Sequence, residues 1–370
     1  MTEHQLLPAF GWLCVVTALS WSAPPRWQPL AIALGGACLL AWYSPLSLAV
    51  LAACGLISFG VARLKRRRGA AVGLTILLLV AAYALLMWRA QDRGGLAVVL
   101  PLGMAYYVLR TIHYLVEAHL GRLRPHGLLD YAAYQLTPSS LLFGPIHRFD
   151  VFQRDLARRR WDAILFSSGL GRILAGAFKV VVIGNFVVVG QLGYSPATDL
   201  LAGGPWDIYR HSLLFWANLY VQFSGYSHVA VGFAALMGFR ITENFNWPLL
   251  SRNIGDFWRR WHISLSTWCR DYIYMPAMAR TRSHLVAIIA SMTALGLWHA
   301  LSIHYLLWGL YHALGLAVWR RFNAATQPTI DRWPVPVRQA WTVASVFLTL
   351  NFVLFSFAAT TLVERFLKEI

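Results

Sequence analysis

Long apolar stretches, separated by short polar or basic segments, make up most of the chain. Such stretches predict membrane-spanning helices, because a helix needs about 20 mainly apolar residues to cross a bilayer. None shows the ten-residue alternation of apolar and polar positions that is typical of a strand in an outer-membrane barrel. We therefore expect an all-α, polytopic integral membrane protein with about ten crossings. The expected spans cover about residues 6–20, 30–43, 46–62, 70–88, 96–117, 164–190, 207–238, 285–301, 305–319 and 339–361.

Two further segments predict helices that do not cross the membrane. Residues 128–147 are apolar but carry basic residues at both ends, which favours a re-entrant or interfacial hairpin bent at Phe143-Gly144-Pro145-Ile146. From Ile254 to Tyr272, apolar residues recur at helical spacing, so this segment predicts one amphipathic helix at the cytoplasmic interface. His262 lies at the edge of the apolar face of that helix.

The chain contains no low-complexity linker, soluble segment or clear internal repeat. We therefore expect a single transmembrane domain over residues 1–370. Within it, residues 1–95 form N-terminal helices, residues 96–322 form the core and residues 323–370 form a C-terminal helix.

Composition and charge agree with a membrane location. Hydrophobic residues make up 58% of the chain and charged residues 13%, against about 45–50% and about 25% in soluble domains. The net charge of +17 is compatible with nucleic-acid binding, but the arginines lie between apolar runs instead of forming one basic face, so we expect membrane lipids and no nucleic acid as partners. The basic runs at residues 63–68 and 158–160 predict the cytoplasmic side, which places the amino terminus outside.

Metal chemistry is not indicated by the pattern of cysteine and histidine residues. The four cysteines form no CxxC pair. His299, His304 and His312 are separated by five and eight residues, so they do not share one helical face. We expect no bound metal, and the residues alone assign no role to His304 or His312.

Polar chemistry concentrates in two places, the Trp- and Arg-rich segment from Glu243 to Tyr274 and the apolar run that contains His299. Ionisable groups are costly in a bilayer and usually face a cavity or a partner. Several short motifs accompany these places, in one order, between about residues 100 and 320. They are Tyr114-Leu115-Val116-Glu117, Gly144-Pro145-Ile146 with Arg148, Phe223-Ser224-Gly225-Tyr226-Ser227, Glu243-Asn244-Phe245-Asn246 with Pro248, Phe257-Trp258-Arg259-Arg260-Trp261-His262-Ile263-Ser264-Leu265-Ser266, Arg270-Asp271-Tyr272 and Gly296-Leu297-Trp298-His299.

Together these motifs resemble the membrane-bound O-acyltransferase family, in particular its bacterial branch of alginate O-acetylases and teichoic-acid D-alanyl transferases. The resemblance implies helices around a central tunnel, with residues 96–322 as the catalytic core. It implies that His299 is the catalytic histidine and that His262 is a second functional histidine. The residues that it implies as tunnel lining are Trp298, Ser224, Tyr226, Asn246, Trp261 and Ser266.

The chain departs from the family pattern at three places. His228 stands where relatives often have Asp, and Ala300 stands where they often have Gly. The segment Met275–Arg280 replaces a glycine-rich turn of the acetylases, and this favours the D-alanyl branch, as does the segment Pro145–Phe149. The choice within the branch stays open on these residues.

The resemblance implies transfer of an acyl group from a thioester to a hydroxyl, a reaction for which a neutral histidine is a suitable base. We expect no bound cofactor and a thioester co-substrate, acetyl-CoA or an acylated carrier protein. Arg252, Arg259, Arg260 and Arg270 are candidates for binding this donor through its phosphate or carboxylate groups, although positive-inside bias explains them equally well.

We expect an acyltransferase of the bacterial inner membrane that acts in cell-envelope polysaccharide modification, with an extracytoplasmic polysaccharide, glycolipid or partner transferase as acceptor. Acetyl is the favoured acyl group, and D-alanyl from an acyl carrier protein is the alternative. A periplasmic acyltransferase or a polymer-export complex is a candidate partner. Two other classes stay open: a transporter or flippase whose histidines relay protons, and a scaffold that tolerates replacement of both histidines.

Overall fold

The structure is a computed structural model that describes residues 3–64, 68–91, 101–141 and 144–369. All the regular elements within these ranges are helices, which confirms the predicted all-helical class. The α-helices are α1 Glu3–Ser22, α2 Gln28–Tyr43, α3 Pro45–Ala62, α4 Arg68–Gln91, α5 Met104–His119, α6 Leu128–Gln135, α7 Pro138–Leu141, α8 Phe149–Ala157, α9 Ala163–Phe178, α10 Pro205–Leu236, α11 Ile254–Arg260, α12 Ile263–Cys269, α13 Met275–Thr281, α14 His284–His299, α15 Ile303–Ile330 and α16 Val335–Glu369. The segments Lys179–Gln191 and Arg270–Tyr274 are π-helical, and Pro25–Trp27 and Pro248–Leu250 are 3₁₀ turns.

Four helices of the described residues are long and apolar enough to cross a membrane. They are Pro45–Ala62, Arg68–Ala90, Ala163–Gln191 and Val335–Glu369, and two shorter apolar helices are Pro8–Ser22 and His284–His299. Apolar helices of this length are what the hydrophobic pattern predicts. The membrane character is therefore confirmed, while the count of about ten crossings stays a prediction.

The segment expected to form a hairpin contains two short helices. α6 has eight residues and α7 has four, so neither is long enough to cross a hydrocarbon core about 30 Å thick. This arrangement agrees with a segment that does not cross. Of its expected bend, Phe143 lies outside the described residues.

The single amphipathic helix expected from Ile254 to Tyr272 is wrong. α11 ends at Arg260 and α12 begins at Ile263. His262, between them, has φ +43°, in the left-handed region, which a residue inside a right-handed helix does not adopt. Apolar periodicity continues across the break, so it gave no signal of it.

Contacts along the chain define two compact units. The first comprises Met1–Ala177 and Tyr226–Thr242, and the second comprises Phe178–Gly225 and Glu243–Ile370. The helix α10 contributes to both. The expectation of one domain with boundaries near residues 95 and 322 stays a prediction.

The first unit is held in part by Arg159, whose guanidinium contacts two separate segments. It donates to the carbonyl oxygen of Met237, at 2.7 Å, and to the carbonyl and hydroxyl oxygens of Ser20, at 2.8 and 2.7 Å. Its Cζ also lies 3.9 Å from the ring centroid of Trp21. Burial lowers the pKa of Arg159 to about 10, so the side chain remains protonated at neutral pH. This residue therefore joins the end of α1 to the end of α10.

Candidate functional site

The helices α14 and α15 of the second unit pack at very short distance through two glycines. A methyl group on Gly309 would lie 2.5 Å from the carbonyl oxygen of Met292, and one on Gly296 would clash with the carbonyl oxygen of Tyr305. Small residues of this kind allow the backbones of membrane helices to approach closely. The contact fixes the end of α14, where His299 is the last residue.

His299 is surrounded by aromatic rings, but its side chain is exposed. It stacks on Tyr305, with ring centroids 5.5 Å apart and planes inclined at 21°. Trp308 meets it edge-on at 5.7 Å, and Trp298 lies 4.8 Å away. Because rings limit its rotation while one side stays open, His299 can meet a reactant in a defined orientation.

His262 is held in place by a short antiparallel pairing of the chain. Phe245 and Trp261 form an isolated β-bridge. The backbone N–H of Asn246 donates to the carbonyl oxygen of Arg260, at 3.0 Å, and that of Ile263 donates to the carbonyl oxygen of Asn244, at 2.9 Å. These bonds compete with helical ones, which is the physical reason for the break between α11 and α12.

The His262 side chain is only 2% exposed, and its Nε2 atom has no hydrogen-bond partner. The ring of Phe223 packs against it edge-on, with centroids 4.7 Å apart. A buried polar atom without a partner is costly and calls for a ligand, a water molecule or a catalytic role. His262 therefore has one nitrogen available for a bound molecule.

Trp298 connects the two histidines. Its ring lies 6.0 Å from that of His262 and 4.8 Å from that of His299. The structure thus brings together three residues, from two separate motifs, that the sequence predicts as site residues.

The other predicted lining residues have varied surroundings. The Ser266 hydroxyl donates to the carbonyl oxygen of Trp261 at 3.0 Å, and Trp261 stacks on Phe257, so both support the break beside His262. Ser224 is fully buried and bonds to its own helix, at the Val221 carbonyl oxygen.

Asn246 and Tyr226 complete the predicted lining set. The exposed Asn246 pairs with Arg260 through its backbone. Tyr226 belongs to the first unit, where it is half-buried on α10. The tunnel-lining role of all six residues, Trp298 included, stays a prediction.

The four candidate donor-binding arginines differ in their partners. Arg259 and Arg260 both donate to the carboxylate of Asp256, at 3.4 and 3.0 Å, and Arg270 donates to Asp271 at 2.8 Å. Arg252 is exposed, and its backbone N–H donates to the carboxylate of Asp256 at 3.3 Å. Burial tends to raise the pKa of Asp256, but hydrogen bonds from Arg260 and from the Arg252 backbone bring it below its usual value. The carboxylate is therefore charged at neutral pH and partly neutralises Arg259 and Arg260.

A cleft of about 920 Å³ runs between α15 and α16. Arg252 and Arg338 line it together with the apolar and aromatic residues Val318, Trp319 and Trp341. Its volume is within the range of about 300–1,000 Å³ found for small-molecule sites. Of the four predicted donor-binding arginines, Arg252 lines this cleft.

Sequence reasoning missed several residues that shape the site. The Ser264 hydroxyl donates to Oδ1 of Asn244 at 2.6 Å, deep in the interior. His312 is fully buried, and neither of its ring nitrogens has a hydrogen-bond partner. It packs 4.6 Å from Trp308, which in turn contacts His299. Helical spacing places Tyr305, Trp308 and His312 three to four residues apart on one face of α15, and this was the available signal.

His304 pairs instead with the end of α16. Its Nδ1 lies 3.4 Å from a carboxylate oxygen of Glu364, which also binds Lys368 at 2.8 Å. Among the described residues, no three His, Cys, Asp or Glu side chains are grouped so that they could hold a metal ion.

Comparison with known proteins points to one family. Residues 115–358 match the family model described as MBOAT, membrane-bound O-acyltransferase family. The chain is 34% identical over 255 residues to the probable alginate O-acetylase AlgI of Pseudomonas fluorescens, which covers 68% of this chain and 50% of the relative. It is 30% identical over 276 residues to the teichoic acid D-alanyltransferase of Bacillus subtilis, a match that covers 69% of this chain and 67% of the relative. It is 28% identical over 302 residues to the peptidoglycan O-acetyltransferase of Helicobacter pylori, a match that covers 73% of this chain and 56% of the relative. The chain thus spans about half the length of the alginate relatives that it matches.

Proposed function

Because the chain belongs to the membrane-bound O-acyltransferase family, we propose that it moves an acyl group from a thioester to a hydroxyl, with His299 as the general base. The observation that carries this proposal is the environment of His299. Its ring is oriented by Tyr305 and Trp308, is exposed on one side and lies beside a second histidine across Trp298. A base held in one orientation next to open space is what a bound hydroxyl requires.

In the proposed reaction, His299 takes the proton of the acceptor hydroxyl as its oxygen attacks the thioester carbonyl carbon. The tetrahedral intermediate then collapses, the carbon–sulfur bond breaks and the thiolate recovers the proton from the imidazolium. His299 ends α14, and the partial negative charge at a helix carboxyl end stabilises such an imidazolium. A positioned base of this kind contributes about 10²–10⁴ in rate.

His262 supplies the second polar group. Its unpartnered Nε2 is buried, and when it carries the hydrogen it is a donor for the oxyanion that develops on the thioester carbonyl. Donation to the carbonyl oxygen would also orient the thioester. The break in the chain at His262 supports this role, because a constrained backbone fixes the direction of the donor.

We propose that the donor arrives from the cytoplasm, through the cleft that contains Arg252. The basic residues Arg320 and Arg321 lie in the C-terminal half of α15 and Arg332 follows its end, which is the pattern of a cytoplasmic end. Arg252 and Arg338 are suited to the phosphates of a coenzyme or to the acidic surface of a carrier protein. Acetyl-CoA is the favoured donor, and a D-alanyl carrier protein is the alternative.

The acceptor in this proposal is a hydroxyl of an extracytoplasmic polysaccharide, glycolipid or partner transferase. The relatives are named for acetylation of alginate and peptidoglycan and for D-alanylation of teichoic acid. We place the protein in the bacterial inner membrane with about ten crossings, a central tunnel and the amino terminus outside. A periplasmic acyltransferase or polymer-export complex is the proposed partner.

The test is acyl transfer by the purified protein in detergent or nanodiscs. Radiolabelled acetyl-CoA and a D-alanyl carrier protein are supplied in parallel, each with a membrane and periplasmic extract. We expect label to move from one donor to an acceptor, and we expect the His299→Ala protein to be at least about 100-fold slower. Equal transfer by the His299→Ala protein would contradict the mechanism, and no transfer from either donor by folded protein would contradict the function.

The donor cleft is tested separately with Arg252→Gln. Loss of a charge-assisted contact should raise the donor KM about ten-fold, whereas Arg259→Gln should have a smaller effect because Asp256 already pairs with Arg259. Arg321→Gln is the matched control, since it removes an exposed charge from outside the cleft. An unchanged donor KM in the Arg252→Gln protein would exclude the cleft as the donor site.

A further inference from the structure

A second pocket, of about 220 Å³, opens in the second unit at the loop before α10. Tyr194, Leu214 and Phe215 supply apolar lining, while Arg210 and His211 line it together with Ser195 and Thr198. The volume is below the range of about 300–1,000 Å³ typical of drug-sized ligands, so it fits one small unit of a larger molecule. Apolar surface with a few convergent polar groups is typical of a binding site.

Arg210 gives the pocket a positive charge. Arg210 is exposed and donates to the Leu192 carbonyl oxygen at 3.2 Å, and among the described side chains it makes no ion pair. The acidic residue Asp199 is bound by Arg365 at 2.6 Å, and this hydrogen bond lowers the pKa of Asp199. Asp207, three residues before Arg210 on α10, accepts from the backbone N–H of Gly204 at 3.0 Å. Neither carboxylate forms an ion pair with Arg210 among the described residues, so Arg210 is available for an anionic ligand.

His211 adds an unsatisfied polar atom. Its Nδ1 is buried and lacks a hydrogen-bond partner. The loop that faces it is held by local bonds, since the Ser195 hydroxyl accepts from the N–H of Ala197 at 3.2 Å and the Ser195 carbonyl accepts from the N–H of Thr198 at 3.0 Å. The polar groups of the pocket are thus largely pre-positioned.

A continuous series of ring contacts leads from this pocket to His299. Phe215, in the pocket wall, lies 4.8 Å from Phe357, and Phe357 lies 6.1 Å from Tyr305. Tyr305 stacks on His299. The pocket is also at the far end of α16 from the donor cleft, because Arg365 reaches the pocket loop whereas Arg338 lines the cleft. Residues 338 and 365 lie about 40 Å apart along a straight helix.

We propose that this pocket binds the acceptor, and that the bound unit is a hydroxyl-bearing sugar or polyol with an anionic group. Arg210 pairs with the anionic group, the hydroxyls of the unit bond to His211, Ser195 and Thr198, and Tyr194 packs against its carbon skeleton. A neighbouring unit of the same polymer then extends toward His299. This inference rests on the proposed function, and it adds the charge of the acceptor and the residues that recognise it.

Binding can be tested without catalysis in the His299→Ala protein, reconstituted in nanodiscs. The probes are a hexameric oligouronate, a hexameric glycerol phosphate and a neutral hexasaccharide, measured by calorimetric titration. We expect at least one anionic probe to bind about ten-fold more tightly than the neutral one. The carboxylate and phosphate arms identify which anionic group the pocket accepts.

The Arg210→Gln change, in the same background, should remove the preference for the anionic probe, and Arg210→Lys should retain part of it. Arg321→Gln, which removes an exposed charge outside the pocket, should leave it intact. The proposal is overturned if neither anionic probe binds, if anionic and neutral probes bind alike, or if Arg210→Gln binds the anionic probe unchanged. Anionic binding lost in Arg210→Gln, in a protein whose unsubstituted form transfers no acyl group, would refute the proposed function and leave this site standing.

Discussion

Tyr305 and His299 lie with their rings stacked, 5.5 Å between centroids and 21° between planes. Tyr305 is the third residue of α15, and His299 is the last residue of α14. Since the two helices touch through Gly296 and Gly309, the stack lies beside a rigid contact. The tyrosine is therefore a positioning residue for the proposed base.

Two replacements of Tyr305 distinguish the contribution of its ring from that of its hydroxyl. Tyr305→Phe keeps the stacked surface, so kcat for acyl transfer should remain within about two-fold of the unsubstituted value. Tyr305→Leu removes it, and a misplacement of about 1 Å can reduce the rate about 100-fold. We therefore expect kcat of the Tyr305→Leu protein to fall about 10- to 100-fold, with little change in KM. Equal losses in both variants would show that the hydroxyl, and not the ring, is what matters.

His262 can be replaced by a residue that tolerates its backbone. Asn adopts the left-handed region more readily than most residues do, whereas Ala pays about 1–2 kcal/mol there. The His262→Asn protein should therefore unfold at a higher temperature than His262→Ala, although both should lose acyl transfer because neither carries an imidazole. Thermal unfolding in detergent and a transfer assay measure the two effects. An active His262→Asn protein would show that the imidazole is not required, since the amide N–H of Asn can also donate to an oxyanion.

The glycine contact between α14 and α15 predicts a stability effect. A methyl group at Gly309 meets the Met292 carbonyl oxygen at 2.5 Å, so the Gly309→Ala protein should be destabilised by about 1–3 kcal/mol. Gly73→Ala is the matched control, because a methyl group there has no atom within 4 Å and Ala favours the helix by about 1 kcal/mol. Denaturant or thermal unfolding compares them. A Gly309→Ala protein as stable as the control would mean that the helices separate at little cost.

Of the three arginines at residues 158–160, we expect only Arg159 to contribute to the stability of the fold. The Arg159→Gln protein loses the charge-assisted bonds to Ser20 and Met237, which predicts a loss of about 2–3 kcal/mol. Arg158→Gln and Arg160→Gln change exposed residues, and their effect should be within about 0.5 kcal/mol. If all three changes have the same effect on unfolding, the run acts only as a topological signal.

Helices that depend on local composition could be predicted from the sequence, whereas a break that depends on distant contacts could not. Apolar runs predicted α2, α3 and α4 to within a few residues, and likewise α9 together with the π-helical segment that continues it to Gln191, because helix formation in a bilayer depends on local composition. The break at His262 was not predictable in this way, since it depends on Asn244 and Asn246, which are distant in sequence.

Charge patterns in the sequence identified basic residues but not their partners. They identified the arginines near the site, but not that Asp256 pairs with two of them. The special role of Arg159 within its basic run also depends on Ser20 and Met237, which lie far along the chain. Partners of this kind are set by tertiary packing, which periodicity does not encode.

The contact of Gly296 and Gly309 also limits how the site can move. Backbone packed against backbone leaves little room for one helix to slide or rotate against the other. Any displacement of His299 between loading and release must therefore carry α14 and the first turns of α15 as one body, with the hinges at loops beyond the pair. A pair of spin labels placed across these two helices would keep a constant separation through the catalytic cycle, while labels beyond them would not.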